Sequence, residues 1–294
     1  MKNIILTEQS NEDTKNIDLM NSFEIARAIN NEDKKVALAV EKELEHIGKG
    51  IDIISSAFLK GGRLAYFGAG TSGRLGVLDA SECWPTYGVD FSMVQGFIAG
   101  GEKALRLPVE NAEDIEEFGL EDLKSFNPTS KDVVVGISAS GNPKYVLAVL
   151  KKAQELGAST IGISSNPNAK LQEFSDVFIC TVVGQEAITG SSRMKSGTAQ
   201  KMVLNMLSTG AMIKIGKTYQ NYMIDMKLVN EKLIERGARF VSQICGVDEN
   251  EALDLLNKSG KSVKTACVMK AKNCDKKTAE AMLAEHNGIL RKVI

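Results

Sequence analysis

Three runs of glycine and hydroxyl residues in this chain have the make-up of phosphate-holding loops. They are Gly68-Ala69-Gly70-Thr71-Ser72-Gly73, Ser138-Ala139-Ser140-Gly141 and Thr189-Gly190-Ser191-Ser192-Arg193. Glycine lets the backbone approach an anion closely, a helix N-terminus turns unpaired N–H groups toward it, and Ser and Thr add donors without charge. The chemistry this suggests is capture of a small phosphorylated substrate. Candidate contacts are Gly70, Thr71, Ser72 and Gly73 in the first loop, Ser138, Ser140 and Gly141 in the second, and Thr189, Ser191 and Ser192 in the third. Ser72, Ser138, Ser140 and the hydroxyls of the third loop are expected on the phosphate itself.

The spelling Gly68-x-Gly70-x-x-Gly73 also fits a dinucleotide fingerprint, which needs an acid about 20 residues on, at the end of the next strand, to hold the ribose. That strand, Phe91 to Ile98, ends in Ala99-Gly100-Gly101, with no acid. Thr71 and Ser72 suit a terminal phosphate better than a pyrophosphate bridge. Asn166, before Pro167, reads as a turn residue on the binding face; Arg193 and Lys195 either meet phosphate or face solvent; Glu186 is at most a pocket-lining residue.

These loops need strands to carry them. Runs 63–67, 91–98, 132–137, 159–163 and 177–183 are apolar and largely β-branched, as strands buried on both faces of a parallel sheet should be. Helical patterns lie between most of them, which implies a doubly wound α/β sandwich with ligands at the carboxyl ends of the strands. Before the sheet, residues 1–20 read as polar loop, a helical pattern covers 22–29, Asn30-Asn31-Glu32-Asp33 interrupts it, and a longer helix covers 36–59. A long helix over about 193–215 closes the domain. Beyond residue 225 only short helical patterns follow, over 226–244, 248–257, 261–271 and 276–285. The expected organisation is an N-terminal helical extension (1–60), an α/β phosphate-binding domain (61–218) and a linking helix with a small helical subdomain (219–294).

Composition narrows the partners. Lys and Arg number 36 against 37 Asp and Glu, a net charge of −1 that argues against nucleic acid or an anionic membrane surface. No apolar run reaches the ~18 residues of a membrane span, and the N-terminus turns polar too soon for a signal peptide. Five cysteines without a CxxC spacing imply reduced thiols and a cytoplasmic setting. Two distant histidines, His46 and His286, leave little for a His-based metal site, so acid–base work falls to carboxylates.

Longer strings carry a family resemblance. Gly68-Ala69-Gly70-Thr71-Ser72-Gly73-Arg74-Leu75-Gly76, Asp79-Ala80-Ser81-Glu82-Cys83, Ile98-Ala99-Gly100-Gly101-Glu102, Ala112-Glu113-Asp114 and the run from Thr189 to Lys201 resemble the N-acetylmuramic acid 6-phosphate etherases, built on the sugar isomerase (SIS) fold. The resemblance implies cleavage of a D-lactyl ether by elimination and hydration, without metal or other cofactor, giving N-acetylglucosamine 6-phosphate and D-lactate. It places the catalytic carboxylates on Glu82 and Glu113, and it implies a homodimer. Cys83 and Trp84 beside Glu82, with Pro85 stopping its helix, would desolvate that carboxyl and suit it to general acid work. One stretch departs: the family's usual Arg-Thr-Pro-Tyr is Asn142-Pro143-Lys144-Tyr145 here, so Lys144 could replace the Arg only as a point charge. A sugar-phosphate aldose–ketose isomerase on the same fold, or a non-catalytic sugar-phosphate sensor, would share the loops. Apolar residues Leu204, Met206, Leu207, Ala211, Met212 and Ile213 place the last long helix in or near the dimer interface.

Overall fold

The computed structural model describes residues 5–294, which fall into two compact units. One takes the chain up to Ser81 and again Ser92–Gly210; the other takes Glu82–Phe91 and Ala211–Ile294.

The first unit is built on five strands, β1 (Leu64–Gly68), β2 (Val94–Ile98), β3 (Val133–Ile137), β4 (Ser159–Ser164) and β5 (Val177–Cys180), in the order β2-β1-β3-β4-β5. Every pairing is parallel, with Gly68 level with both Ile98 and Ile137. β1 and β3 are buried along their whole length, as their unbroken apolar spelling requires. The chain leaves β1 toward β2 and then returns to the other side of β1 with β3. Strand order therefore reverses between β1 and β3, where such sheets open a crevice at their carboxyl ends. The loops 68–73 and 138–141 emerge there.

Helices α1 (Ser22–Glu41), α2 (Leu44–Leu59), α3 (Gly70–Tyr87), α4 (Gly101–Arg106), α5 (Glu116–Phe126), α6 (Lys144–Glu155) and α7 (Lys195–Lys214) accompany the sheet. On one face Leu123 and Phe126 of α5 and Tyr145, Val146, Val149 and Leu150 of α6 join Ala65, Phe67 and Val134 in one apolar core. Phe67 stacks on Phe97 at 4.7 Å. On the other face Gly50 of α2 leaves room for α7: a Cβ there would stand 2.7 Å from Leu207 Cδ2 and 3.5 Å from Ile161 Cδ1. Leu207 is thus covered within the chain by α2 and Leu204 is buried as well, so their apolar character does not call for a partner subunit.

Two helix boundaries differ from expectation. The polar run Asn30–Asp33 does not break α1, because Glu32 turns inward to a buried partner described below; the break falls at Lys42–Glu43 instead. There the Glu43 carboxylate accepts from the Cys180 amide at 3.1 Å, tying the break to the end of β5. Pro85 does not stop α3. It lies in the last turn, where it removes a single backbone hydrogen bond, and the helix ends at Gly88, which takes φ +63° while its amide reaches the Trp84 carbonyl.

The second unit holds a short hairpin, β6 (Thr218–Tyr219) with β7 (Tyr222–Met223), and helices α8 (Glu231–Cys245), α9 (Glu249–Lys258), α10 (Val263–Lys272) and α11 (Lys276–Glu285). Asn230, Asp248, Ser262 and Asp275 cap them, each accepting from the amide three residues on. Val241, Leu256, Cys267, Val268 and Ala279 form their common core.

Candidate active site

The first loop joins β1 to α3 under tight packing. A Cβ on Gly68 would meet Gly73 N at 2.7 Å, and one on Gly73 would meet Gly68 O and Ile98 Cγ1, both at 2.6 Å. Those two glycines seat the helix on the strand. Gly70 has the opposite role: it takes φ +54° with open space where a side chain would be. The amides of Gly70, Thr71 and Ser72 begin α3 and have no partner among the described residues. They make an open helix N-terminus, where an anion gains about 0.3–1 kcal/mol from the dipole in addition to its hydrogen bonds.

The second loop presents hydroxyls. Ser138 Oγ accepts from the Gly141 amide at 3.0 Å and Ser140 Oγ from the Asn142 amide at 3.4 Å. The two Oγ atoms stand 3.4 Å apart, so at most one proton is shared between them and another remains for a ligand. Asn166 braces the loop from behind, donating from Nδ2 to Ser140 O at 2.9 Å. Gly141, at φ +72°, packs against Ala169. Lys144 opens α6 on the exposed side.

The third loop has a different character. The Gly190 amide donates to Thr7 O, that of Ser191 to Ile188 O, and that of Ser192 to Gly190 O. The N-terminus of α7 is already filled: the buried Glu186 carboxylate accepts from the Lys195 and Ser196 amides and from Ser196 Oγ, each at 2.9 Å. Glu186 is a helix cap brought in from the preceding loop. Lys195 is buried too, with Nζ 2.5 Å from Glu32 Oε2 on α1, and Glu32 also holds Lys35 at 2.6 Å. Burial pushes the Glu32 pKa up, but the hydrogen bonds from Lys195 and Lys35 outweigh it and hold the carboxyl below the usual range.

A cavity of about 250 Å³ brings these parts together: Gly70, Thr71 and Ser72 from the first loop, Ser138, Ala139 and Ser140 from the second, Ser192 from the third, and Glu113. Glu113 lies in a single 3₁₀ turn, Ala112–Asp114, that follows Asn111 at φ +60°. The Glu113 side chain is exposed overall, yet partial desolvation of its carboxyl beside the cavity, and then the charge of Asp114, raise its pKa. A second cavity of similar size, lined by Arg74 and residues 108–113, shares Gly70 and Glu113 with the first.

Several expected residues stand elsewhere. Gly73, Gly141 and Asn166 support the loops from behind, Thr189 and Arg193 are exposed away from the cavity, and Ser191, whose backbone makes local turns, does not line it. Lys195 turns to Glu32. Glu82 is the thirteenth residue of α3 and is exposed; Cys83 and Trp84 do not shield it. Sequence reasoning missed Thr7 and Glu8, which also line the cavity. Their segment is not a free loop but a series of 3₁₀ turns strapped across residues 185–190. Thr14 Oγ donates to Ala187 O at 2.8 Å and Asn11 Nδ2 to Gln185 O at 3.2 Å. Nothing in the polar spelling of residues 5–14 signals those distant partners.

A Clostridium botulinum (strain Hall) N-acetylmuramic acid 6-phosphate etherase is 51% identical over 290 residues, 99% of this chain and 96% of its own. The chain belongs to the N-acetylmuramic acid 6-phosphate etherase family. A Glaesserella parasuis etherase of the same name is 52% identical over 97% of this chain and 93% of its own. Residues 35–154 match the glucokinase regulatory protein N-terminal SIS domain and residues 119–210 the SIS domain. A Bacteroides fragilis structure assigned to the phosphosugar isomerases superposes with a TM-score of 0.53 at 21% identity, covering 69% of this chain and 98% of that one, a likeness of fold. The doubly wound parallel sheet is thus a SIS fold.

Proposed function

We propose that this etherase-family chain is a carbon–oxygen lyase that removes the D-lactyl group of N-acetylmuramic acid 6-phosphate. The observation that carries the reading is Glu113, a carboxyl of raised pKa on the wall of the cavity that α3 opens with unpaired amides. The phosphate sits on the amides of Gly70 to Ser72 with the hydroxyls of Ser138 and Ser140. Glu113 takes the proton from C2 of the open-chain sugar, acidified by the C1 aldehyde. A carboxylate whose conjugate acid has a raised pKa is a stronger base for that step. Lactate leaves C3 with a proton delivered to its ether oxygen, leaving a C2–C3 double bond. Water then adds its oxygen to C3 and C2 regains a proton, so the balance is one water consumed and one lactate released.

The second carboxylate of this reading, Glu82, is separated from Gly70 by twelve residues of helix rise, about 18 Å at 1.5 Å per residue. It is exposed and does not line the cavity. A homodimer in which the partner's copy of this residue completes the cavity accounts for both facts. The five free thiols fit a reducing, cytoplasmic compartment.

Incubation with N-acetylmuramic acid 6-phosphate in D₂O should release D-lactate and leave deuterium at C2 of the product. An aldose–ketose isomerase would release no lactate. Glu82→Gln and Glu113→Gln should each lose about 10²-fold or more in lactate release. Mixing the two inactive variants should restore activity if the cavity is shared between subunits; no recovery in a mixed dimer would refute the shared site.

A further inference from the structure

Behind the cavity, Ser72 gives its hydroxyl proton to Gln200 on α7, Oγ to Oε1, at 2.9 Å. Gln200 is 1% exposed, and its Nε2 has no partner among the described residues. An unpaired buried amide donor is costly and rare, and this one belongs to the side chain that occupies a cavity-lining hydroxyl. Exchanging the two ends of the amide would bring this unpaired donor onto Ser72. The two orientations differ in what Ser72 can do. With Oε1 facing it, Ser72 spends its proton on Gln200 and offers a ligand only lone pairs, which a phosphate oxygen cannot use. With Nε2 facing it, Ser72 accepts from Gln200 and its own O–H is free to donate.

We propose that Gln200 is a positioning residue for the phosphate: its amide turns when an anion enters, gives an N–H to Ser72, and so releases the Ser72 proton to a phosphate oxygen. The inference rests on the reading that the phosphate sits in this cavity. Gln200 itself touches no substrate, and its effect passes entirely through Ser72.

The test is a double-mutant cycle on lactate release, with inhibition by inorganic phosphate as a second readout. Gln200→Met fills the same space without an amide. It should raise KM and the phosphate inhibition constant about tenfold, the value of one hydrogen bond to a charged group, with kcat within about threefold of wild type since no reacting atom is touched. Ser72→Ala should do the same, and the double variant should be no worse than Ser72→Ala alone. If Gln200→Met fails to fold, Gln200→Asn withdraws the amide by one methylene and should give the same pattern. A wild-type KM in the Gln200 variants, or penalties that multiply in the double variant, would overturn the proposal while leaving the phosphate seat in place. Wild-type KM and phosphate inhibition in Ser72→Ala would overturn the proposal as well, whereas the same result in Ser138→Ala combined with Ser140→Ala would sink the seat itself.

Discussion

Lys195→Met separates two readings of a lysine at the head of a helix. In the structure Lys195 and Glu32 are 1% and 2% exposed and 2.5 Å apart, joining α7 to α1. Removing one partner of a buried pair typically costs about 3–5 kcal/mol, because the other charge is left uncompensated. Here Glu32 keeps Lys35 at 2.6 Å, and that lysine is half exposed, so the low end applies, about 3 kcal/mol. At about 2–4 °C per kcal/mol for a domain of this size, the melting temperature should fall by about 6–12 °C. Glu32→Gln combined with Lys195→Met removes both charges and should recover a substantial part of that loss. The pH dependence has a definite sign. The folded pKa of Glu32 lies below its ordinary 4.5, so its stabilising contribution is present above that value and is lost as pH falls through the lowered one. The gap between wild type and Lys195→Met should therefore be widest at neutral pH and close below about pH 4.5. Thermal unfolding across pH measures all of this. A phosphate-binding lysine would instead give a near-wild-type melting temperature and a raised KM, and that result would refute the structural reading.

Glu186→Ala orphans two amides and a hydroxyl at the start of α7 and should cost about 1–3 kcal/mol. Added sulfate should recover more of that loss than it adds to wild type, since an anion can take the vacated helix end; equal sulfate responses would argue against the capping role. Gly73→Ala puts a methyl 2.6 Å from Gly68 O and from Ile98 Cγ1. It should destabilise by about 1–3 kcal/mol and lift α3 from its seat, so phosphate inhibition should weaken as well. Asp114→Asn removes a like charge beside Glu113. The acid limb of the kcat/KM profile should move to lower pH, because ionised Glu113 becomes easier to form; a shift upward, or none, would exclude Glu113 as the base.

What could be read from the sequence divides along physical lines. β1, β3 and β4 were legible because burial on both faces writes itself as an unbroken apolar run, and the first two loops because glycine and serine have few other uses at strand ends. Glu113 was legible only through family strings: its turn has no periodicity, and its value comes from a cavity built by other segments. The partners of Glu32 and Glu186 were illegible for a common reason. A buried carboxylate is spelled like a surface one, and the groups that satisfy it, such as Lys195 for Glu32 at a separation of 163 residues, leave no local mark. The same holds for Thr7 and Glu8, which belong to the cavity because Thr14 and Asn11 pin their segment to residues 185–187 and Thr7 O accepts from the Gly190 amide.

The contrast between α3 and α7 goes beyond these two helices. Both begin after a loop of glycine and hydroxyl residues, and both offer amides and a positive dipole end to whatever is negative and near. At α7 the anion is the chain's own Glu186, held by three hydrogen bonds and sealed from water. At α3 no side chain among the described residues fills the place, Gly70 keeps the space clear, and the hydroxyl that might have closed it, Ser72, is turned to Gln200. Loop composition therefore establishes that an anion is wanted, not whether it is already supplied. The observation that separates a binding site from a cap is which amides remain unpaired, and in the first unit that criterion selects the end of β1, beside the reversal of strand order, over the start of α7.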